Sequence, residues 1–208
     1  MKHLKLTLLA LTIIFTSACK NDIKEEKKSN EKEEVSEVMF VVKPEGTSVK
    51  WTAYKTTEKK PVNGEFAILN FDAKKGATPQ DALNNLEFSI PVNSLFTKDE
   101  VRDSKLKASF FGAMLNTELI SGKIKVTDNK YVASITMNGA TNDLPLDVSI
   151  LEERRVKMNG VLNLKDWNAL DALTSLNKVC FDLHKGPDGV SKTWENVAIE
   201  INTYLREK

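Results

Sequence analysis

The chain of 208 residues is 41% apolar and 28% charged, the make-up of a globular protein with enough material for one domain with a sizeable core. Its net charge is +1, and with Lys2 and Lys5 removed 28 basic residues face 29 acidic ones. That balance offers no basic field to hold a phosphate backbone, which excludes nucleic acid as the expected partner.

Residues 1–18 read as a leader peptide. Lys2 and Lys5 form its positive end, Leu6 to Phe15 its apolar run, and Thr16, Ser17 and Ala18 a small-residue exit before Cys19. The run is shorter than the roughly twenty residues a membrane span needs. Small residues followed at once by Cys19 resemble a bacterial lipobox, with Thr16 where a branched residue usually stands. On that reading Cys19 is the lipid attachment site and holds the protein to a membrane leaflet. Simple secretion is the alternative.

The next segment, through residue 38, is nearly bare of apolar side chains and reads as a charged tether, unable to offset its own chain entropy. As a flexible coil it would span about 20–25 Å.

From Met39 to Lys208 apolar residues recur at every second position. Val49, Trp51 and Ala53 share a side, as do Phe66 and Ile68, then Leu86, Phe88, Ile90 and Val92. Ile124 and Val126 follow, then Tyr131, Ala133, Ile135 and Met137, and Leu144, Leu146, Val148 and Ile150. Val156, Met158, Leu162 and Leu164 come next, then Val179, Phe181 and Leu183, and last Val197, Ile199 and Ile201. The opposite faces are polar, so the runs predict antiparallel strands wetted on one side. Turn residues stand between them, among them Asn63-Gly64, Lys75-Gly76, Asp128-Asn129 and Pro187-Asp188-Gly189. About eight strands result, which calls for a sandwich or a closed antiparallel β-barrel, and closure is the simplest way to leave no sheet edge.

Two stretches break the alternation. Lys98–Met114 predicts a helix, either packed on the core with ordinary surface ion pairs or capping the β-structure with Leu106, Phe110, Phe111 and Met114 on the interior and Arg102 and Asp103 at a wet rim. Lys165–Asn177 predicts a second, with Trp167, Leu170, Leu173 and Leu176 three residues apart. A short turn fits Pro79–Leu83.

Catalytic chemistry is sparse. His3 belongs to the leader, so His184 is the one histidine left, on the water side of its expected strand, and no His/Cys cluster exists for zinc or a Cys-His pair. Cys180, in KVCFDL, reads as a quiet, half-buried strand residue. Asp99, Glu100 and Asp103 suit the start of a helix, and the spacing of a calcium loop is missing. No enzyme activity, metal or cofactor is expected. Alternation alone leaves two interiors open, one filled by side chains and one hollow enough for a small elongated ligand.

Several blocks carry a resemblance. Arg102, Asp103, Leu106, Lys107, Phe110 and Phe111 resemble the R-D-x-x-L-[RK]-x-x-x-F-F segment of YceI-like proteins. Ser48 to Trp51, Gly64 to Phe66, Asn70 to Asp72, Ile135 to Thr141 with Leu144 to Leu146, and Asn196 to Ile201 are similar to that family's blocks, in the same order. Lys105 replaces a frequent histidine, and Lys165 to Asn168 lacks the familiar Arg and Gly, so a divergent branch is expected.

The resemblance implies a lipocalin-like barrel with one or two short helices, holding a polyisoprenoid or isoprenoid-quinone-type amphiphile or another long-chain lipid. Trp51, Phe66, Phe88, Ile90, Phe110, Phe111, Ile135, Met137, Leu146, Val148, Met158 and Phe181 are the expected tunnel walls, and Arg102 and Asn138 the rim contacts. The expected place is the cell envelope, lipid-anchored in the outer membrane on its periplasmic side or at the cell surface, where Lys20-Asn21-Asp22 resembles the export signals of Bacteroidetes-type lipoproteins. A homodimer is left open. The alternative is a structural or surface-interaction lipoprotein whose barrel is filled.

Overall fold

The computed structural model describes residues 39–207. The expected leader, Cys19 and tether lie outside the described residues. Twelve strands are present among those described. They are β1 (Phe40–Val42), β2 (Thr47–Lys55), β3 (Lys60–Phe66), β4 (Lys74–Gly76), β5 (Leu86–Pro91) and β6 (Leu95–Phe96), then β7 (Leu119–Thr127), β8 (Lys130–Met137), β9 (Ala140–Leu151), β10 (Arg155–Asn163), β11 (Asn196–Tyr204) and β12 (Arg206–Glu207). Three α-helices accompany them, α1 (Pro79–Leu83), α2 (Glu100–Lys105) and α3 (Leu170–Val179).

Nine strands form one antiparallel sheet in the order β5-β7-β8-β9-β10-β11-β2-β3-β6. It curls into a nearly closed barrel, because Asn70, just past β3, exchanges both backbone bonds with Ser89 of β5 at 2.8 Å. The tight hairpins have the backbone chemistry their residues predict. Asp128-Asn129 between β7 and β8, and Asn138-Gly139 between β8 and β9, all adopt positive φ, the signature of a type I′ turn whose twist matches the strands.

Two expected turns lie elsewhere. Asn63-Gly64 sits inside β3, because the β2–β3 hairpin turns earlier, at Thr56–Lys59, where both end residues have positive φ. Lys75-Gly76 lies in β4.

One end of the barrel is closed by a small sheet in the order β12-β1-β4, with α1 packed beside it. Val42, Leu83 and Leu205 there are almost wholly buried. The other end is closed by the segment after β6. Asp99 caps α2 by accepting from the Arg102 backbone N–H at 3.0 Å, and the chain then makes one wide π turn (Leu106–Phe110) and a 3-10 turn (Phe111–Ala113). Phe110 and Phe111 both end up buried, their rings edge to face at 5.0 Å. Asp103 is also buried and accepts from the Thr97 backbone N–H and hydroxyl. It therefore anchors the segment, and does not stand at a wet rim.

The strand expected at Val179, Phe181 and Leu183 is instead the end of α3 and a following 3-10 turn. Both edges of β11 and of β2 are already paired, which leaves no partner for an extra strand, and the three-residue spacing of Leu170, Leu173 and Leu176 carries the chain on as helix. Cys180 is buried at the C-cap of α3.

Among the described residues, 39–207, lie every strand pairing given above and a continuous apolar core. A segment of residues 36–208 includes all of these elements and thus carries the means of its own folding.

Candidate functional site

Alternation puts one face of each long strand inside the barrel, and there the side chains leave two apolar chambers. The first, about 100 Å³, lies toward the β1 and α1 end, between Val42, Leu83, Leu86, Phe88 and Ile124. The second, about 120 Å³, lies under α2 and α3, between Leu106, Phe110, Phe111, Leu176 and Trp194. Phe66, Ile120, Met137, Leu162 and Ile199 line both and form the waist between them.

The second chamber shares Trp51, Ala53, Leu106, Leu176 and Thr193 with a larger cleft of about 350 Å³, at which the exposed Val101 and Leu183 stand. This cleft is the mouth. Its charged and titratable groups include Lys55, Asp99, Arg102, Lys105 and His184. Arg102 is held by Asp99 at 2.9 Å, whereas Lys55 and Lys105 have no carboxylate partner among the described residues.

His184 Nδ1 lies 2.7 Å from the Thr193 hydroxyl and 3.2 Å from Asn177 Oδ1. Burial, with the Lys55 and Lys105 charges adding to it, lowers its pKa to about 4, so the ring is neutral at pH 7. Burial pushes the Cys180 thiol up, against the pull of the same two lysines, which keeps it protonated and unreactive. The Trp51 indole N–H is buried without an acceptor, on the wall shared by chamber and mouth.

The expected wall residues divide into three sets. Phe66, Phe88, Ile90, Ile135, Met137 and Met158 line the first chamber, and Trp51, Phe110 and Phe111 the second, which Phe66 and Met137 also reach. Leu146 is buried in the core and Val148 packs half-buried against it, but neither lines a chamber. Phe181 is 51% exposed, because the turn after α3 carries it outside the barrel.

Of the two rim candidates, Arg102 lines the mouth and Asn138 does not. The Asn138 side chain accepts from the Leu115 backbone N–H at 2.8 Å and donates to the carbonyls of Trp167 and Asn168, each at 2.9 Å. It ties the β8–β9 turn to the 3-10 turn that ends at Trp167, and the buried Trp167 donates its indole N–H to Ile135 O at 2.9 Å. His184, expected to face water from a strand, is half-buried in the mouth.

Among the described residues no cluster of three His, Cys, Asp or Glu side chains could hold a metal ion. Sequence reasoning missed Trp194, Thr193 and Leu69, which lie outside the long strands and share no periodicity with them. Lys55 at the mouth was equally unmarked, since a lysine at a strand end looks like any solvated residue.

A family model described as the YceI-like domain matches residues 40–205. Among solved structures the chain is similar to a polyisoprenoid binding domain from Saccharophagus degradans implicated in plant cell wall breakdown, with a TM-score of 0.59 and 12% identity over 81% of this chain and 98% of that one. It is also similar to BcnA of Burkholderia cenocepacia, with a TM-score of 0.52 and 17% identity over 79% of this chain and 98% of that one. At such identities the likeness is one of fold. A comparison with curated proteins finds no match.

Proposed function

The chain belongs to the YceI-like domain family, and from that premise we propose that it is a non-catalytic lipid-binding protein, tethered to a membrane, that sequesters or carries a polyisoprenoid or isoprenoid-quinone-type amphiphile. The observation that carries this reading is the stacking of two apolar chambers along the barrel axis beneath a mouth with polar groups. The polyisoprenoid binding of the Saccharophagus domain supports the ligand class.

A hydrocarbon tail leaving water for such walls gains about 25 cal/mol per Å² buried, while a polar head stays at the mouth. Trp51, whose buried indole N–H is unpartnered, lines both chamber and mouth, and an oxygen of the ligand that reaches it would accept that hydrogen bond. Each chamber is below the roughly 300 Å³ of a small-ligand pocket, so a long tail requires the waist to part. Met137, unbranched and with three rotatable bonds, is the waist residue best suited to swing aside. Anchoring through Cys19 and a place in the cell envelope belong to the same proposal and rest on residues 1–38.

Titration of the 36–208 segment with a polyprenol tests the reading through tryptophan emission, since Trp51 and Trp194 lie on the second chamber's wall. A saturable change that is lost in Phe66→Trp, which crowds the waist, supports it. A linear, non-saturating response opposes it. The small chamber volumes favour one rival, a structural lipoprotein with a filled barrel, and for it the titration stays flat.

A further inference from the structure

Around the mouth the chain builds a stiff rim from two turns, Thr56–Lys59 and the loop 184–192. The Thr56 N–H donates to Lys192 O at 2.9 Å, the Trp194 N–H to Tyr54 O at 3.0 Å, and the Trp194 indole N–H to Thr56 O at 2.8 Å. Within the loop, Gly186 N–H donates to Val190 O, and the Asp188 carboxylate accepts from the Thr57 hydroxyl and the Val190 N–H.

This rim exposes apolar side chains among cations. Leu183 and Val190 are more than half exposed, and Val101 on α2, across the mouth, is 67% exposed. Lys59 and Lys192 stand over the Trp194 ring, at 4.2 and 3.9 Å from its centroid. The rim's acids are largely spent: Glu58 pairs with Lys60, Asp182 with Lys185, Asp99 with Arg102, and Asp188 is bound within its turn. Lys55, Lys59, Lys105 and Lys192 have no carboxylate partner among the described residues, and with Glu100 of α2 also unpaired the balance stays cationic.

From this arrangement we infer that the rim of the mouth is a docking face for an anionic lipid leaflet, with Leu183, Val190 and Val101 entering the head-group region and the lysines meeting lipid phosphates. The inference deepens the lipid-binding reading and rests on it. Indole rings flanked by ammonium groups settle at the bilayer interface, and basic side chains near an anionic surface add attraction that salt screens. Trp194 also lines the second chamber and Leu183 the mouth, so the docking face borders both the mouth and the barrel interior. A tail that enters there leaves the bilayer without crossing water.

The test is partition of the 36–208 segment onto vesicles of phosphatidylcholine alone and of phosphatidylcholine mixed with phosphatidylglycerol, with lipid extracted from the same preparations in a separate assay. The expected result is binding to the mixed vesicles that weakens as salt rises. Lys59→Gln with Lys192→Gln reduces partition about thirtyfold, and Leu183→Ser with Val190→Ser reduces what binding remains at high salt. All four residues are on the surface turns, and thermal melts check that the fold persists. Equal partition onto both vesicle types, partition unchanged by the lysine pair, or no partition at all overturns the docking face. A protein that holds lipid yet stays off both vesicles overturns docking and leaves lipid binding intact. One that docks on the mixed vesicles but takes up no lipid upholds the face and overturns the carrier.

Discussion

Gly64 of β3 pairs directly with Trp51 of β2, and the Trp51 ring lies in the space a side chain on Gly64 would need. A Cβ built on that glycine collides with the six-membered part of the indole. Gly64→Ala is therefore expected to cost about 1–3 kcal/mol by overpacking and to shift tryptophan emission as the ring is displaced. Urea unfolding measures the first effect and a steady-state spectrum the second. An unchanged midpoint would mean the ring has room to move.

Asn138 is expected to matter for stability and not for ligand. Asn138→Ala leaves the Leu115 N–H and the carbonyls of Trp167 and Asn168 without their side-chain partner, bonds worth about 0.5–1.5 kcal/mol each. Polyprenol titration of the variant at a temperature where it stays folded should give wild-type affinity. A large loss of affinity with normal stability would return Asn138 to the rim.

His184 ties stability to pH. Its folded-state pKa, about 4, lies below its ordinary 6.5 because burial and the Lys55 and Lys105 charges disfavour the imidazolium. The stability linked to the neutral ring is thus full above pH 6.5 and is lost as pH falls from there toward 4. Allowing for the ring's partial exposure, the loss is about 1–2 kcal/mol. Denaturation midpoints at pH 7 and pH 4.5 should separate less in His184→Gln than in the wild type. An equal separation would mean the ring is not held neutral by its surroundings.

The alternation of Leu86, Phe88 and Ile90, and of Tyr131, Ala133, Ile135 and Met137, was legible because a barrel strand buries one face along its length. The period of two then maps directly onto inside and outside. The same period at Val179, Phe181 and Leu183 misled, because three residues of alternation are too few to distinguish a strand from the end of an amphipathic helix. Asn63-Gly64 read as a turn by its chemistry, whereas the glycine serves the Trp51 ring across the ladder, a need that exists only once β2 and β3 are paired. Asp103 was placed at the surface by its charge, and its bonds to Thr97 are contacts no periodicity encodes. The mouth lay hidden for a similar reason: Lys55, Lys105 and His184 come from three separate segments that meet only through the closure of the barrel end.

Met137 is the residue through which the two interiors differ in behaviour. It lines both chambers and is buried at the waist. Met137→Trp is expected to abolish polyprenol uptake while costing no more than about 1–3 kcal/mol. Loss of the folded state would instead place the residue in a filled core.

The central claim is that the barrel holds a long isoprenoid-type lipid. Its most direct test is gentle purification of the 36–208 segment from its native host, followed by solvent extraction and mass spectrometry of what the protein releases. The account predicts a polyisoprenoid or prenylated quinone near one molecule per chain, sharply reduced in Met137→Trp. Protein free of lipid, whose chambers keep their volumes of about 100 and 120 Å³ when crystallised with excess polyprenol, would contradict it.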